Sequence, residues 1–346
     1  MVTRLKPIRV KSNNNWTDWD KLWFLSNEKF NWSNWWLVNY LTQAEYDALP
    51  ESKKSDWNTY LICFPDWLSF TDNATGSTLQ LTSHNHSSTS PIPVELEISW
   101  TWVNWEDYEI WDVINLDNYW WRIFMRNKSE TVTWFWNNYA YYQFVMTWSI
   151  SASWDCNYLL CKNSTLYLTF WLTHTFYNLF KDCISLTSMP KLPATSLFKN
   201  DYESMFSWCT NLVYVTDLVC PALEWESYKN MFNWCTRLTT PPRIFATRCW
   251  PSSCLYMFNW CTNLTTLPKL YFNNIPWYWC AYMFLWCTKI KVSATQTWDY
   301  QNAYSIPSSS TTEDPTYAMF RGTGGTFTSP WTPTPWQTYY TSNNII

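Results

Sequence analysis

The eight residues Met205-Phe206-Ser207-Trp208-Cys209-Thr210-Asn211-Leu212 return with few changes at Met231, Met257 and Met283, each copy 26 residues after the last. One step upstream, Leu179-Phe180-Lys181-Asp182-Cys183-Ile184-Ser185-Leu186 keeps the register, and a degenerate copy, Met319-Phe320-Arg321-Gly322, follows an insertion. A fixed period constrains a fold more tightly than composition does. A unit of 26 residues cannot bury its own apolar side, so neighbours must stack and share one core. Two ladders follow from the register: Cys183, Cys209, Cys235, Cys261 and Cys287, and Leu186, Leu212, Leu238, Leu264 and Ile290. Cysteine behaves there as a small buried hydrophobe, so the thiols are expected in line, buried and unbridged.

Within a repeat, the run before the conserved Met-Phe pair has helical apolar spacing. Residues 198–207, 224–233 and 250–259 are therefore expected to be short helices, and Leu212, Leu238 and Leu264 to begin parallel, stacked strands. Pro190, Pro221, Pro241 and Pro268 then mark bends.

Composition carries one anomaly. The chain has 30 Trp and only 4 Gly, where glycine is ordinarily about 7% of residues. Asn31-Trp32, Asn34-Trp35, Asp56-Trp57 and Asp66-Trp67 would be ordinary turn dipeptides with glycine second. The fourth motif position reads Asp182, Trp208, Trp234, Trp260, Trp286, Gly322. It is a one-residue reversal that wants positive φ, which Gly, Asn and Asp adopt most cheaply. Asp and Gly at the ends argue that the middle residues are glycines too, written as Trp from a reassigned UGA codon. The alternative is a Trp-rich carbohydrate binder, which leaves the missing glycine unexplained.

The pattern Tyr-x-x-Met-Phe-x-x-Cys-Thr-x-Leu, with Leu192-Pro193-Ala194-Thr195-Ser196-Leu197, resembles BspA-like leucine-rich repeats and a related lipoprotein repeat family over about residues 170–325. That resemblance implies a surface or virion protein presenting a binding face. Upstream, Leu41-Thr42-Gln43-Ala44-Glu45-Tyr46-Asp47-Ala48-Leu49 with Tyr60-Leu61-Ile62 resembles a segment of phage tail-fibre and virion-appendage proteins, with Thr42 capping a helix from Gln43 and Glu45 assisting. Between them, Leu79–Leu81, Val94–Ile98, Val113–Leu116, Trp121–Met125 and Tyr142–Met146 read as short strands of an antiparallel sandwich. The expected class is α+β: an attachment segment over 1–67, a small β-sandwich over 68–155, a short α/β leucine-rich-repeat solenoid over 156–325, and a loose Thr/Pro/Ser-rich tail over 326–346.

Little in the chain suggests chemistry. Lys and Arg number 23 against 27 Asp and Glu, leaving no basic footprint for nucleic acid or an anionic membrane. No apolar run approaches the length of a membrane span, and the first residues do not read as a secretory signal. His84 and His86 sit in a Ser/Thr-rich stretch, His174 reads as a packed residue, and Glu106, Asp107 and Glu109 read as an exposed turn. Cys254 and Cys280 share a second repeat position near Cys249, leaving room for one disulfide there, while Cys156 and Cys161 lack a second ligand pair for zinc. The expectation is a non-enzymatic phage virion appendage of tail-fibre or receptor-binding type, needing no cofactor or metal. Its partners would be a protein or glycan receptor on a cell surface, other virion proteins and copies of itself in a homo-oligomer; the alternative is a bacterial surface adhesin.

Overall fold

The computed structural model describes residues 68–85, 94–100, 105–116, 122–130, 136–137, 140–153, 155–162, 173–273, 275–309, 314–327 and 332–346, together with the backbone of four earlier strands at 8–12, 15–17, 38–41 and 59–63. The chain divides into two compact units, Met1–Asp66 and Trp67–Ile346. In the first, β1 (Ile8–Ser12) pairs antiparallel with β2 (Asn15–Thr17), and β3 (Val38–Leu41) lies parallel to β4 (Thr59–Cys63), which also pairs with β1. The helix expected at Thr42, Gln43 and Glu45 lies outside the described residues.

The second unit opens with two sheets built from β5 (Leu68–Asp72), β6 (Ser77–Asn85), β7 (Leu96–Ser99), β8 (Glu106–Tyr108), β9 (Val113–Leu116), β10 (Arg122–Asn127), β11 (Trp136–Asn137), β12 (Ala140–Met146) and β13 (Ile150–Ser153). One sheet runs β13-β5-β10-β7-β8 and the other β11-β12-β6-β9. Alternation along the strands sends Leu79 and Leu81 of β6 and Tyr142, Phe144 and Met146 of β12 into the core, with Leu68, Phe70, Ile123 and Met125 from the other sheet.

The expected α+β class, with an α/β leucine-rich-repeat solenoid, does not form. The described residues are nearly all strand and turn, and their one helical stretch is a four-residue 3-10 turn, Cys156–Leu159. The sheets are several and small, and none runs along the repeats as a solenoid. The segments 198–207, 224–233 and 250–259 are runs of tandem turns. The reason lies in their hydrogen bonds. Met231, Asn233 and Cys235 donate their N–H three residues back, to Tyr228, Asn230 and Phe232, as turns do. The residues between them, Tyr228, Asn230, Phe232 and Trp234, donate instead to Ser253, Leu255, Met257 and Asn259 of the next repeat. Glu226, Asn230 and Trp234 hold positive φ every fourth residue (55°, 55° and 63°), which rotates alternate amides outward and forbids a continuous helix.

Strands after the turns are also shorter than expected. None begins at Leu212, Leu238 or Leu264. Successive repeats instead meet through brief parallel contacts: β14 (Leu186–Ser188) with β13, the bridges Ser188 to Tyr214 and Leu218 to Ile244, and β15 (Ala222–Leu223) with β16 (Arg248–Cys249).

One aromatic column joins the whole unit. Phe70 meets Phe144, which stacks on Phe180 at 5.0 Å, and the column continues through Phe206, Phe232, Phe258, Phe284 and Phe320 at 5.4–5.9 Å. Phe320 then meets Phe327. The β-sheets and the repeats therefore share one core. At the far end the tail is built in, contrary to the loose terminus expected. β17 (Thr266–Leu267) is followed by β18 (Lys291–Ser293), β19 (Asn302–Ser305), β20 (Gly324–Gly325), β21 (Thr338–Thr341) and β22 (Asn344–Ile345). β21 pairs with β18 and β19, and β22 lies parallel to β17. Asn343 fastens that return, its side-chain amide donating to the carbonyls of Thr265 and Lys289 and its oxygen accepting from the Lys291 amide.

Candidate functional site

The cysteine ladder is a set of buried donors. Sγ of Cys183, Cys209, Cys235, Cys261 and Cys287 donates to the carbonyl of Phe144, Phe180, Phe206, Phe232 and Phe258 respectively, at 2.9–3.1 Å, so Cys183 bonds β12 and each of the other thiols bonds the aromatic one repeat back. Burial pushes every one of these thiols above its ordinary value. A protonated, water-excluded sulfur is a poor nucleophile. Ellman's reagent is expected to leave these five unmodified in the native protein and to titrate them in urea; rapid native reaction at any of them would place that thiol outside the core. Cys249, Cys254 and Cys280 are unbridged, and Cys156 and Cys161 are free and buried. Beside the thiols, Leu186, Leu212, Leu238, Leu264 and Ile290 are fully buried, each amide closing a turn to the carbonyl of its own repeat's cysteine at 3.0 Å.

The glycine-like positions all have left-handed backbone: φ is 61° at Asp182, 65° at Trp208, 63° at Trp234, 60° at Trp260, 59° at Trp286 and 75° at Gly322. The four indoles form a surface row with ring centroids 4.4, 4.5 and 5.5 Å apart. Gly322 ends it, because a Cβ there would lie 2.4 Å from Cε3 of Trp286. Across the described residues, seven of the nineteen non-glycine residues with positive φ are tryptophans; Trp111, Trp148 and Trp336 complete the set. Trp279 is different: it is wholly buried at a repeat position held by Ser227 and Ser253 in the two preceding copies, and its Nε1 lacks a hydrogen-bond partner.

Asp201 occupies that same column. Its carboxylate accepts from the Phe198 and Thr175 amides and from the Thr175 hydroxyl at 2.6–3.2 Å. Burial outweighs those bonds and pushes its pKa up to about 7. A raised folded pKa means that the folded state holds the proton more tightly than the unfolded chain. The contribution of Asp201 to stability is therefore fully present below about pH 4, the ordinary carboxylate range, and is lost as pH rises through about 7, by about 4 kcal/mol at most. Asp201→Ser is expected to flatten this slope in urea titrations run across that range, and an unchanged slope would assign it to other groups. Burial holds His174 down at about 4, hence neutral near pH 7.

Other candidates are dispersed. His84 lies on β6, stacked on Tyr141 at 5.1 Å, and His86 falls outside the described residues. Glu106, Asp107 and Glu109 are exposed, with Asp107 paired to Lys128 at 2.9 Å. Among the described residues no group of three or more His, Cys, Asp or Glu is placed to hold a metal ion, and no helix is long and apolar enough to cross a membrane.

The feature that sequence reasoning missed is a groove on the bend side of the repeats. It encloses about 750 Å³ and is lined by Val213, Tyr214, Val215, Asp217, Thr239, Thr240, Pro241, Pro242, Arg243, Tyr271 and Ile346. Two sets of residues at the repeat spacing supply part of its lining: Asp217 and Arg243 from the set Asp217, Arg243 and Lys269, and Tyr271 from the set Val219, Phe245 and Tyr271. Arg243 Nε and Nη2 both reach Asp217 Oδ2, with Nε at 3.1 Å, and its guanidinium lies over Phe245 at 5.4 Å. Lys269 Nζ sits over Tyr271 at 5.0 Å. The 26-residue register was the signal that could have found these columns, since their members share a direction without sharing identity. No family model matches the chain, and no curated protein or solved structure matches it either.

Proposed function

We propose that this chain is a non-enzymatic recognition protein, a phage virion appendage of tail-fibre or receptor-binding type that holds its repeats out toward a receptor on the host surface. One observation carries the reading: the repeats spend their reactive groups on their own core while leaving in-register columns of Tyr, Phe, Arg and Asp at the surface. The five ladder thiols are protonated donors to backbone, and Asp201 is buried under its own hydrogen bonds. Tyr214, Phe245 and Tyr271 are exposed. The resemblances of the repeats to BspA-like proteins and of residues 41–62 to virion-appendage segments support the same assignment. In this reading Trp208, Trp234, Trp260 and Trp286 stand for glycines of a genome that reads UGA as glycine, and the support is their common left-handed backbone.

The test is location followed by competition. Antibodies raised against the chain are expected to label purified virus particles at an appendage, and excess protein to slow particle adsorption to host cells. A chain recovered from the bacterial envelope and absent from particles would overturn the virion assignment in favour of an adhesin.

A further inference from the structure

We propose that the groove between Tyr214 and Tyr271 is a binding site for a neutral oligosaccharide. The inference rests on the recognition reading above and adds the ligand's chemistry to it. The groove is open, and the two tyrosines in its lining are 67% and 44% exposed, Tyr214 presenting most of its side chain to solvent and Tyr271 carrying the Lys269 ammonium 5.0 Å over its ring. Such a ring offers a sugar the platform its apolar C–H face stacks on, while the phenol edge stays wet. The same groove holds an ion pair, Arg243 bonded twice to Asp217 Oδ2, and Thr239 and Thr240 are also in its lining. A guanidinium and a carboxylate bonded together present donors and acceptors with no net charge between them, which suits hydroxyls, and the Lys269 ammonium over Tyr271 is a further donor for them.

An extended peptide fits less well. Val213 and Tyr214 donate their amides to Thr187, Arg243 donates its own to Asp217 Oδ1, and Leu218 donates to the Arg243 carbonyl. Those groups are therefore unavailable for an added strand. The site also contains no tryptophan. It is the same whether the Trp positions are read as Trp or as Gly, whereas the indole row at Trp208, Trp234, Trp260 and Trp286 is not.

The experiment uses the full chain, fluorescently labelled, on a panel of intact bacterial cells left untreated, oxidised with periodate or digested with protease. The same chain is tested on immobilised neutral gluco-, manno- and chito-oligosaccharides. Staining that periodate abolishes and protease spares is expected, with binding to at least one neutral oligosaccharide. That binding should weaken at least tenfold in Tyr214→Ala and in Tyr271→Ala. Both side chains are exposed, so circular dichroism should be unchanged. A Trp208→Gly, Trp234→Gly double variant should bind like the parent. Staining lost only to protease would keep the recognition reading and overturn the saccharide. No staining on any cell would overturn both. Sugar binding that survives both tyrosine variants, or that vanishes with the Trp variant, would move the site elsewhere and overturn this placement.

Discussion

Phe232→Ala is expected to lower the free energy of unfolding by about 3–5 kcal/mol, the range for emptying a buried aromatic site. The ring is fully buried and stacks on both neighbours, Phe206 at 5.7 Å and Phe258 at 5.6 Å, nearly parallel to each. Its removal breaks two stacking contacts at once, each worth about 0.5–1.5 kcal/mol beyond the area buried. The backbone around it cannot close the hole, because the Phe232 amide donates to Met257 and its carbonyl accepts both the Cys235 amide and the Cys261 thiol. Those bonds fix the repeat spacing on either side. In a stack where each unit touches only its neighbours, a break in the middle also uncouples the two halves. Urea unfolding should show a lower midpoint and a broader transition. A loss under about 1 kcal/mol would mean that the column is filler and that the backbone bonds alone hold the repeats together.

That column was legible in the sequence, and the turn ribbon that carries it was not. Tyr228, Met231 and Phe232 are spaced as on one face of a helix, and a period of 3.6 residues accounts for them. A ribbon that turns every fourth residue buries the same three. The two differ only in where alternate amides go, and the partners of Tyr228 and Phe232 lie 25 residues downstream, beyond any local pattern. The tail failed for a related reason. Thr, Pro and Ser composition suggests a loose end, but Thr338–Thr341 and Asn344–Ile345 are held by backbone pairing and by one asparagine, neither of which needs an apolar period. In the candidate site, the thiol and leucine ladders repeat one residue type and are therefore visible. Asp217, Arg243 and Lys269 share a direction with no common residue type, and a column of unlike exposed side chains shows up only once the register is drawn in space.

The last expectation separates backbone strain from side-chain chemistry at the tryptophans. Trp148→Gly is expected to stabilise the chain and Trp298→Gly to destabilise it, although both indoles are mostly in solvent, at 69% and 90% exposure. Trp148 follows β12 with φ of 61°, where a bulky residue costs about 1–2 kcal/mol. Glycine removes that cost and adds about 0.5–1 kcal/mol of unfolded-chain entropy, so the strain term wins by a few tenths to about 1 kcal/mol. Trp298 keeps φ outside the left-handed region, so only the entropy term remains and the sign reverses. Trp111 and Trp336, at φ of 83° and 70° and 54% and 76% exposed, should behave like Trp148. The four stacked indoles are a poorer test, because ring contacts at 4.4–5.5 Å offset the strain that their backbone carries. If these positions are glycines in the organism, peptides from native material will be lighter by one indolylmethyl group, less a hydrogen, at each of Trp148, Trp208, Trp234, Trp260, Trp286 and Trp336. Native peptides with tryptophan at 208 and 234 would end the codon reading. A destabilising Trp148→Gly, equal to that of Trp298→Gly, would show that the left-handed turns tolerate an indole without strain and that their geometry says nothing about which residue the genome intends.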